Sequence, residues 1–227
     1  MAGVQTSLPL FHLPSIWRAR VQRVDGTAVR EIDAGCVLVR EGELPTSLSV
    51  IDAGAVAECS RALSGRVATL GILGPGDVVG IHALAGSCQA MPGATALVRS
   101  IVLCVPLQAL QEAIRDDPIL ASGLCAKLAQ HLSRGQRSLA EALTLSVPER
   151  VLGALHDLAA RHGRRSGGGI KISIPLSQDV LAALIGATRE SVNRALRDLK
   201  ASGAIRTDGR TYVLPPSNGQ VAELGRS

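Results

Sequence analysis

The sequence predicts an α+β chain made of an N-terminal β-roll of jelly-roll topology, one long helix and a C-terminal winged helix-turn-helix. Three observations predict it. Between about Val29 and Val105, stretches rich in Val, Ile, Leu and Ala are cut at short, regular intervals by turn signals such as Ala34-Gly35, Glu41-Gly42, Ala53-Gly54, Ser64-Gly65 and Gly74-Pro75-Gly76-Asp77, the rhythm of a sandwich or roll. From Pro118 onward, leucines recur at helical spacing. From Ser177 to Leu214 the order reads helix, tight turn, helix, hairpin.

In chain order, the β-roll occupies residues 1–117. Pro118 can open a helix at its first turn, and Leu120, Leu124, Leu128, Leu132, Leu139 and Leu143 then form an apolar stripe. Such a stripe demands a partner surface, and its near-heptad spacing predicts a dimer helix over residues 118–144. The pattern breaks at Thr144 to Pro148, a hinge, and Glu149 to Arg161 reads as a further amphipathic helix. His162 to Gly169, with Arg164, Arg165 and three consecutive glycines, reads as a loop, and Ile170 to Ile174 alternates as a strand. Ser177 can cap a helix that runs to Ile185, Gly186-Ala187 turns, and a second helix starts at Thr188 and ends near Gly203. Ala204 to Arg206 and Thr211 to Leu214 pair across Asp208-Gly209 as the wing. The winged domain spans residues 145–216, and residues 217–227 read as a loose tail.

Bulk properties narrow the function. At 227 residues the chain can hold two modest domains. Aromatic residues make up 1%, with Phe11, Trp17 and Tyr212 the three present. Base stacking on exposed rings, the mode of single-strand and RNA-loop binders, is thereby excluded, while duplex DNA stays open. The formal net charge is +5, and residues 145–227 hold 12 Lys+Arg against 7 Asp+Glu, whereas residues 1–144 hold 12 of each. The positive excess therefore sits in the winged domain, where a polyanion would be met. Cys36, Cys59, Cys88, Cys104 and Cys125 are odd in number and never spaced as C-x-x-C. They suggest a reducing cytoplasm rather than a disulfide framework or a zinc site. The N-terminus lacks the pattern of a secretory signal and no run reaches the length of a membrane span, so no membrane partner is expected.

In the second helix of the turn motif, Val192, Ala195, Leu196 and Leu199 fall at i, i+3, i+4 and i+7 and form one apolar face. Val180, Leu181, Leu184 and Ile185 of the first helix supply the matching face, which leaves Arg189, Glu190, Asn193, Arg194 and Arg197 pointing away. Residues so placed on a recognition helix meet base edges in the major groove, where Arg can take guanine O6 and N7 and Glu can accept from cytosine N4. Generic charge patterning would also give an ordinary solvated face; the capped neighbour and the wing distinguish the two. The glycines of Gly71 to Gly80 fit neither a dinucleotide fingerprint nor a P-loop and read as turn residues.

The run Ile185-Gly-Ala-Thr-Arg-Glu-Ser-Val-Asn-Arg-Ala-Leu-Arg-Asp-Leu199 closely resembles the recognition motif of the Crp-Fnr superfamily, the relatives of the cyclic-AMP receptor protein and the fumarate-nitrate regulator. Ala34-Gly-Cys-Val-Leu-Val-Arg-Glu-Gly-Glu43 and Leu73-Gly-Pro-Gly-Asp-Val-Val-Gly80 are similar to the two glycine-bearing turns of its cyclic-nucleotide-binding-like roll, and Val147-Pro-Glu-Arg-Val151 resembles its hinge. The resemblance covers about Val29 to Leu214. It implies a homodimeric, cytoplasmic, non-enzymatic transcription regulator whose partners are a palindromic TGTGA-type duplex, its own second copy and RNA polymerase. By that resemblance Arg189, Glu190 and Arg194 read bases, and Ser177 and Thr188 touch phosphate, with Arg197 on the same polar face assigned to phosphate beside them.

The resemblance also locates an effector pocket, and there this chain departs from the pattern. Family members that bind cyclic AMP continue the turn after Gly80 with a Glu for the ribose, and a later Pro-Arg-Ser/Thr-Ala run supplies an Arg for the cyclic phosphate. This chain has Gly80-Ile81-His82-Ala83-Leu84 and then Met91-Pro92-Gly93-Ala94-Thr95. Gly135-Gln136 stands where the long helix of relatives offers a Thr or Ser to the adenine, and Arg99 is a cation on a neighbouring segment. Gly80, Ile81, His82, Arg99, Gly135 and Gln136 thus outline a degenerate pocket, and the expectation is weak or absent cyclic-AMP binding with no cofactor. The alternatives are a cyclic-AMP- or thiol-responsive regulator of the same family, with Cys125 beside Leu124 and Leu128 as the cysteine to test, and a ligand-sensing adaptor that does not bind DNA. His82, His131 and His156 show no metal-ligand spacing. No nucleophile elbow, metal cluster or phosphate loop points to an enzyme.

Overall fold

The computed structural model describes residues 13–62, 64–86, 92–209 and 211–216. Phe11, Cys88, Met91 and the tail 217–227 lie outside the described residues.

Chain alternation builds the roll. Strands β1 (Ala28–Ile32), β2 (Val37–Val39), β3 (Ser47–Ala53), β4 (Val56–Arg61), β5 (Val67–Leu73), β6 (Val78–Val79), β7 (Gly93–Ala96) and β8 (Ser100–Pro106) form two four-stranded sheets, ordered β1-β8-β3-β6 and β2-β7-β4-β5. The pairings between neighbouring strands are antiparallel. Ile51, Val56, Leu73, Val79, Ala94 and Val102 meet between the sheets. Residues one step out of phase, Leu48, Val50, Leu103 and Val105, face the other way and are covered by helices.

Two of those helices escape a purely local reading. Helix α1 (Leu13–Val21) brings Trp17 against α3 (Pro118–Thr144), and α2 (Leu107–Asp116) buries Leu110 beside it. Trp17 is 3% exposed and its Nε1 donates to the Leu120 carbonyl at 3.2 Å. A Cβ on Gly123 would lie 1.9 Å from the Trp17 ring, so the close approach of α1 to α3 requires glycine there. Asp117 caps α3 by accepting from the N–H groups of Ile119 and Leu120 at 3.0 and 3.1 Å.

Along α3 the leucine stripe divides. Leu120 and Leu124 are buried in the roll's outer core, whereas Leu128, Leu132, Leu139 and Leu143 are 41%, 61%, 62% and 78% exposed. Leu145 and Ser146 alone separate α3 from α4 (Val147–His162), so α4 starts earlier than its pattern suggested, closed by a capping box between Ser146 and Glu149.

The winged unit contains, besides α4, β9 (Gly163–Ser166), β10 (Gly169–Ile172), α5 (Gln178–Ile185), α6 (Arg189–Ala201), β11 (Arg206–Asp208) and β12 (Thr211–Leu214). Its sheet runs β11-β12-β10-β9. Two expectations are corrected here. The stretch read as a loop after His162 pairs with β10 as a strand, Arg165 opposite Ile170 and Arg164 opposite Lys171. The first wing strand begins at Arg206, because Ile205 is drawn into the core at 1% exposure. No described helix is long and apolar enough to cross a membrane.

The winged unit does not stand apart from the roll. Ala55 and Ile72 of the roll belong to the same buried cluster as Leu155, Leu181, Leu196 and Tyr212, with Leu97 and Val98 packed against it. Helix α5 lies on β5.

Candidate DNA interface and effector region

Capping fixes where α5 and α6 begin. The Ser177 hydroxyl accepts from the Val180 N–H at 3.1 Å, and the Thr188 hydroxyl accepts from the Ser191 N–H at 3.2 Å. Gly186 ends α5 at φ 65°, a left-handed conformation that reverses the chain within two residues. From below, Arg150 of α4 donates to the Ile185 carbonyl at 2.6 Å and pins the last turn of α5.

Helix α6 is two-sided. Val192, Ala195, Leu196 and Leu199 are buried, and Arg189, Glu190, Arg194 and Arg197 are exposed. Arg189 also reaches Asp179 of α5 at 3.4 Å, an exposed pair that orients the guanidinium without neutralising the face. The Glu190 carboxylate is held below its ordinary range by its own backbone N–H, then by the Thr188 hydroxyl and the Arg189 charge. It therefore stays an ionised acceptor at neutral pH, the form that receives a cytosine amino group. Ser177 and Thr188 are exposed at the two helix starts, where free N–H groups favour anions. Beyond α6 the wing is tied to β10 by Lys171 and Asp208 at 2.5 Å.

The residues expected around the effector pocket are only partly brought together. Gly80 starts a short 3-10 helix (Ile81–Ala85), in which Ile81 is a core residue at 3% exposure. The His82 ring meets His131 of α3 edge-on, with centroids 4.9 Å apart, and burial lowers the pKa of both. Arg99 lies elsewhere, engaged by Glu31 of β1. Gly135 and Gln136 are exposed on α3. Cys125 and Cys36 are exposed, whereas Cys59 and Cys104 are partly buried beside Thr69 and Ser49. Among the described residues no group of His, Cys, Asp and Glu could hold a metal ion.

A charged constellation that the sequence reading missed lies between roll and helices. Glu58, on the same strand face as Val56, is 1% exposed, and desolvation raises its pKa to about 7 against the pull of Arg134. Asp77, 7% exposed in the β5–β6 turn, receives Arg134 of α3 at 2.8 Å and lies 3.8 Å from Arg161 of α4. Arg161 donates to the Ile72 carbonyl at 2.6 Å and pairs with Asp157, and the His162 ring packs on Gly74. One carboxylate thus ties roll, long helix and winged unit together. Alternation along β4 marks Glu58 as an inward carboxylate; the two arginines that meet Asp77, Arg134 and Arg161, come from distant helices and carry no local signal.

Fold and surface together are those of a helix-turn-helix protein joined to a cyclic-nucleotide-binding-like roll. A model of the cyclic nucleotide-binding domain matches residues 29–117 and one of the Crp-like helix-turn-helix domain matches residues 149–217. The CRP-like cAMP-activated global transcriptional regulator of Mycobacterium tuberculosis is 33% identical over 183 residues, 81% of this chain and 82% of its own length. The cyclic AMP receptor protein of Thermus thermophilus is 28% identical over 166 residues, covering 73% of this chain and 74% of that protein. Among solved structures, the c-di-GMP responsive global regulator CLP of Xanthomonas campestris superposes with a TM-score of 0.74 at 22% identity, covering 88% of this chain and 99% of that one. The chain belongs to the Crp-Fnr family of transcription regulators.

Proposed function

We propose that the chain acts as a homodimer on a palindromic TGTGA-type site, that Arg189, Glu190 and Arg194 read bases, and that Ser177, Thr188 and Arg197 hold phosphates. The observation that carries this reading is α6 itself, whose apolar face is fully packed while the base-reading side chains stand in solvent. Residues 118–144 supply the dimer contact through Leu128, Leu132, Leu139 and Leu143, an exposed apolar row that a monomer would leave in water. RNA polymerase is the further partner, as the role of the family's regulators suggests.

Cyclic AMP is not the effector in this reading. The turn residues Ile81, Gly93 and Ala94 present no charge to a ribose or a cyclic phosphate, Arg99 is committed to Glu31, and the buried ionisable group of β4 is the acid Glu58. Loss of a cation opposite a buried phosphate costs about 2 kcal/mol or more. A gel shift with a TGTGA palindrome tests the assignment: a discrete complex, competed by the same palindrome but not by a scrambled duplex, is expected without cyclic AMP. No discrete complex with or without cyclic AMP would remove the DNA reading, and calorimetry showing micromolar cyclic-AMP affinity would remove the effector part.

A further inference from the structure

We propose that the cleft between the β5–β6 turn, α3 and α4 is a second effector site, one that takes a small phosphate-bearing anion of up to nucleotide size. The cleft has a volume of about 600 Å³, within the range that small-molecule sites occupy. None of Gly80, Ile81, His82, Arg99, Gly135 and Gln136 lines it, so it is distinct from the family's nucleotide pocket.

Its charge is unbalanced. Four cations, Lys127, Arg134, Arg137 and Arg161, line the cleft with two carboxylates, Asp77 and Asp157. Asp77 engages Arg134 and Arg161, and Asp157 engages Arg161 as well. Lys127 and Arg137 have no carboxylate within ion-pair distance among the described residues. The Nε of Arg161 is buried without a hydrogen-bond partner. Lys127 is half-buried over the Trp17 ring, 5.9 Å from its centroid, and burial lowers its pKa. A surplus of two positive charges, with guanidinium groups on two different helices, matches a phosphate monoester dianion: arginine forks bind its oxygens in pairs and the lysine adds a point charge.

Such a ligand would compete with Asp77 for Arg134 and Arg161, the two guanidinium groups through which the roll holds α3 and α4. It would therefore loosen the winged unit from the roll, a consequence that rests on the DNA-binding reading above. The cleft itself does not depend on that reading.

Calorimetry on the full chain, with inorganic pyrophosphate, 5′-AMP and adenosine as probes, tests the site. Saturable binding of pyrophosphate and 5′-AMP is expected, with none of adenosine. In a Lys127→Ala, Arg137→Ala variant the affinity should fall at least tenfold; the variant leaves every ion pair of the junction in place, and an unchanged melting curve checks its fold. Absence of saturable binding of either phosphate at millimolar concentration, or undiminished binding by the double variant, would overturn the site. The gel-shift midpoint with and without 5′-AMP reads the coupling: a shift of at least threefold is expected, and an unchanged midpoint overturns the coupling. A chain that shifts no duplex at all counts against the DNA reading, while calorimetry still decides the cleft.

Discussion

Arg189, proposed to read a base, illustrates how little of such a role is explained by a residue's own contacts. Its pair with Asp179 is exposed on both sides, 60% and 67%, so solvent screens it and a guanine edge can displace it. Arg189→Ala should lose discrimination at one base pair of each half-site, about 1–3 kcal/mol, while sequence-independent, salt-sensitive affinity persists. Binding titrations against single-base variants of the palindrome check this; an unchanged preference excludes Arg189 as a reader. Glu58 makes the opposite case, a residue defined by what surrounds it. Its folded pKa of about 7 lies above the ordinary carboxyl value, so the folded chain holds the proton more tightly than the unfolded one. The associated stability is present at low pH and is lost as pH rises from about 4.5 to about 7, by roughly 3 kcal/mol as an upper bound. Glu58→Gln, which mimics the protonated form, should melt close to the parent at pH 5 and above it at pH 8; equal melting at both would refute the assignment. The histidines near α3 act in the other sense, since His82 and His131, with lowered pKa values, lose stability as pH falls below about 6.5. Legibility differed between these residues for a physical reason. Thr188 and Ser177 could be read from the sequence because a cap satisfies N–H groups two or three residues away. Asp77 could not be recognised as a junction because both of its arginines come from distant elements.

Among elements, α3 shows most clearly what periodicity can and cannot tell. The leucine spacing announced a helix with a face to bury, and that helix is present over Pro118–Thr144. The spacing did not announce that the stripe changes partner along its length, with Leu120 and Leu124 under Trp17 and the roll and the later leucines exposed. The side chain that makes the division, Trp17, comes from a helix whose own pattern is weak. Likewise β9 was hidden by its two arginines and the glycines that flank them, because pairing to β10 rather than local propensity makes it a strand. If Leu132 and Leu139 contact a second copy, replacing both with Glu should convert the dimer to a monomer without lowering the melting temperature of the roll. Light scattering after size exclusion gives the answer, and a variant that remains dimeric would place the interface elsewhere. Full-site DNA affinity should fall when dimerisation is lost, since each subunit then binds its half-site alone.

At the scale of the molecule, the winged unit is seated on the roll by two kinds of contact: an apolar seam through Ile72 and Ala55, and the polar node at Asp77. The two have different consequences. Burial of the seam favours docking in any ionic environment, whereas the node can be weakened by charge alone. Asp77→Asn leaves Arg134 and Arg161 without their shared carboxylate and should cost about 2 kcal/mol, the pair being largely shielded from solvent. Hydrogen exchange should then quicken at α4 and the β5–β6 turn while α6 stays protected; uniform quickening would mean that Asp77 supports the whole fold rather than the junction.

The seam between α1 and α3 has an optical consequence. The chain contains one Trp, and that indole is 3% exposed, bonded to the Leu120 carbonyl and overlaid by the Lys127 ammonium. Its emission therefore arises from one dry location, with no second fluorophore of its kind to blur it. Any event that draws Lys127 away, or lifts α1 from Gly123, changes the field or the wetness of that ring. The molecule carries an intrinsic lamp at the foot of its long helix, and rapid-mixing fluorescence on the unlabelled protein can time the movement of that seam.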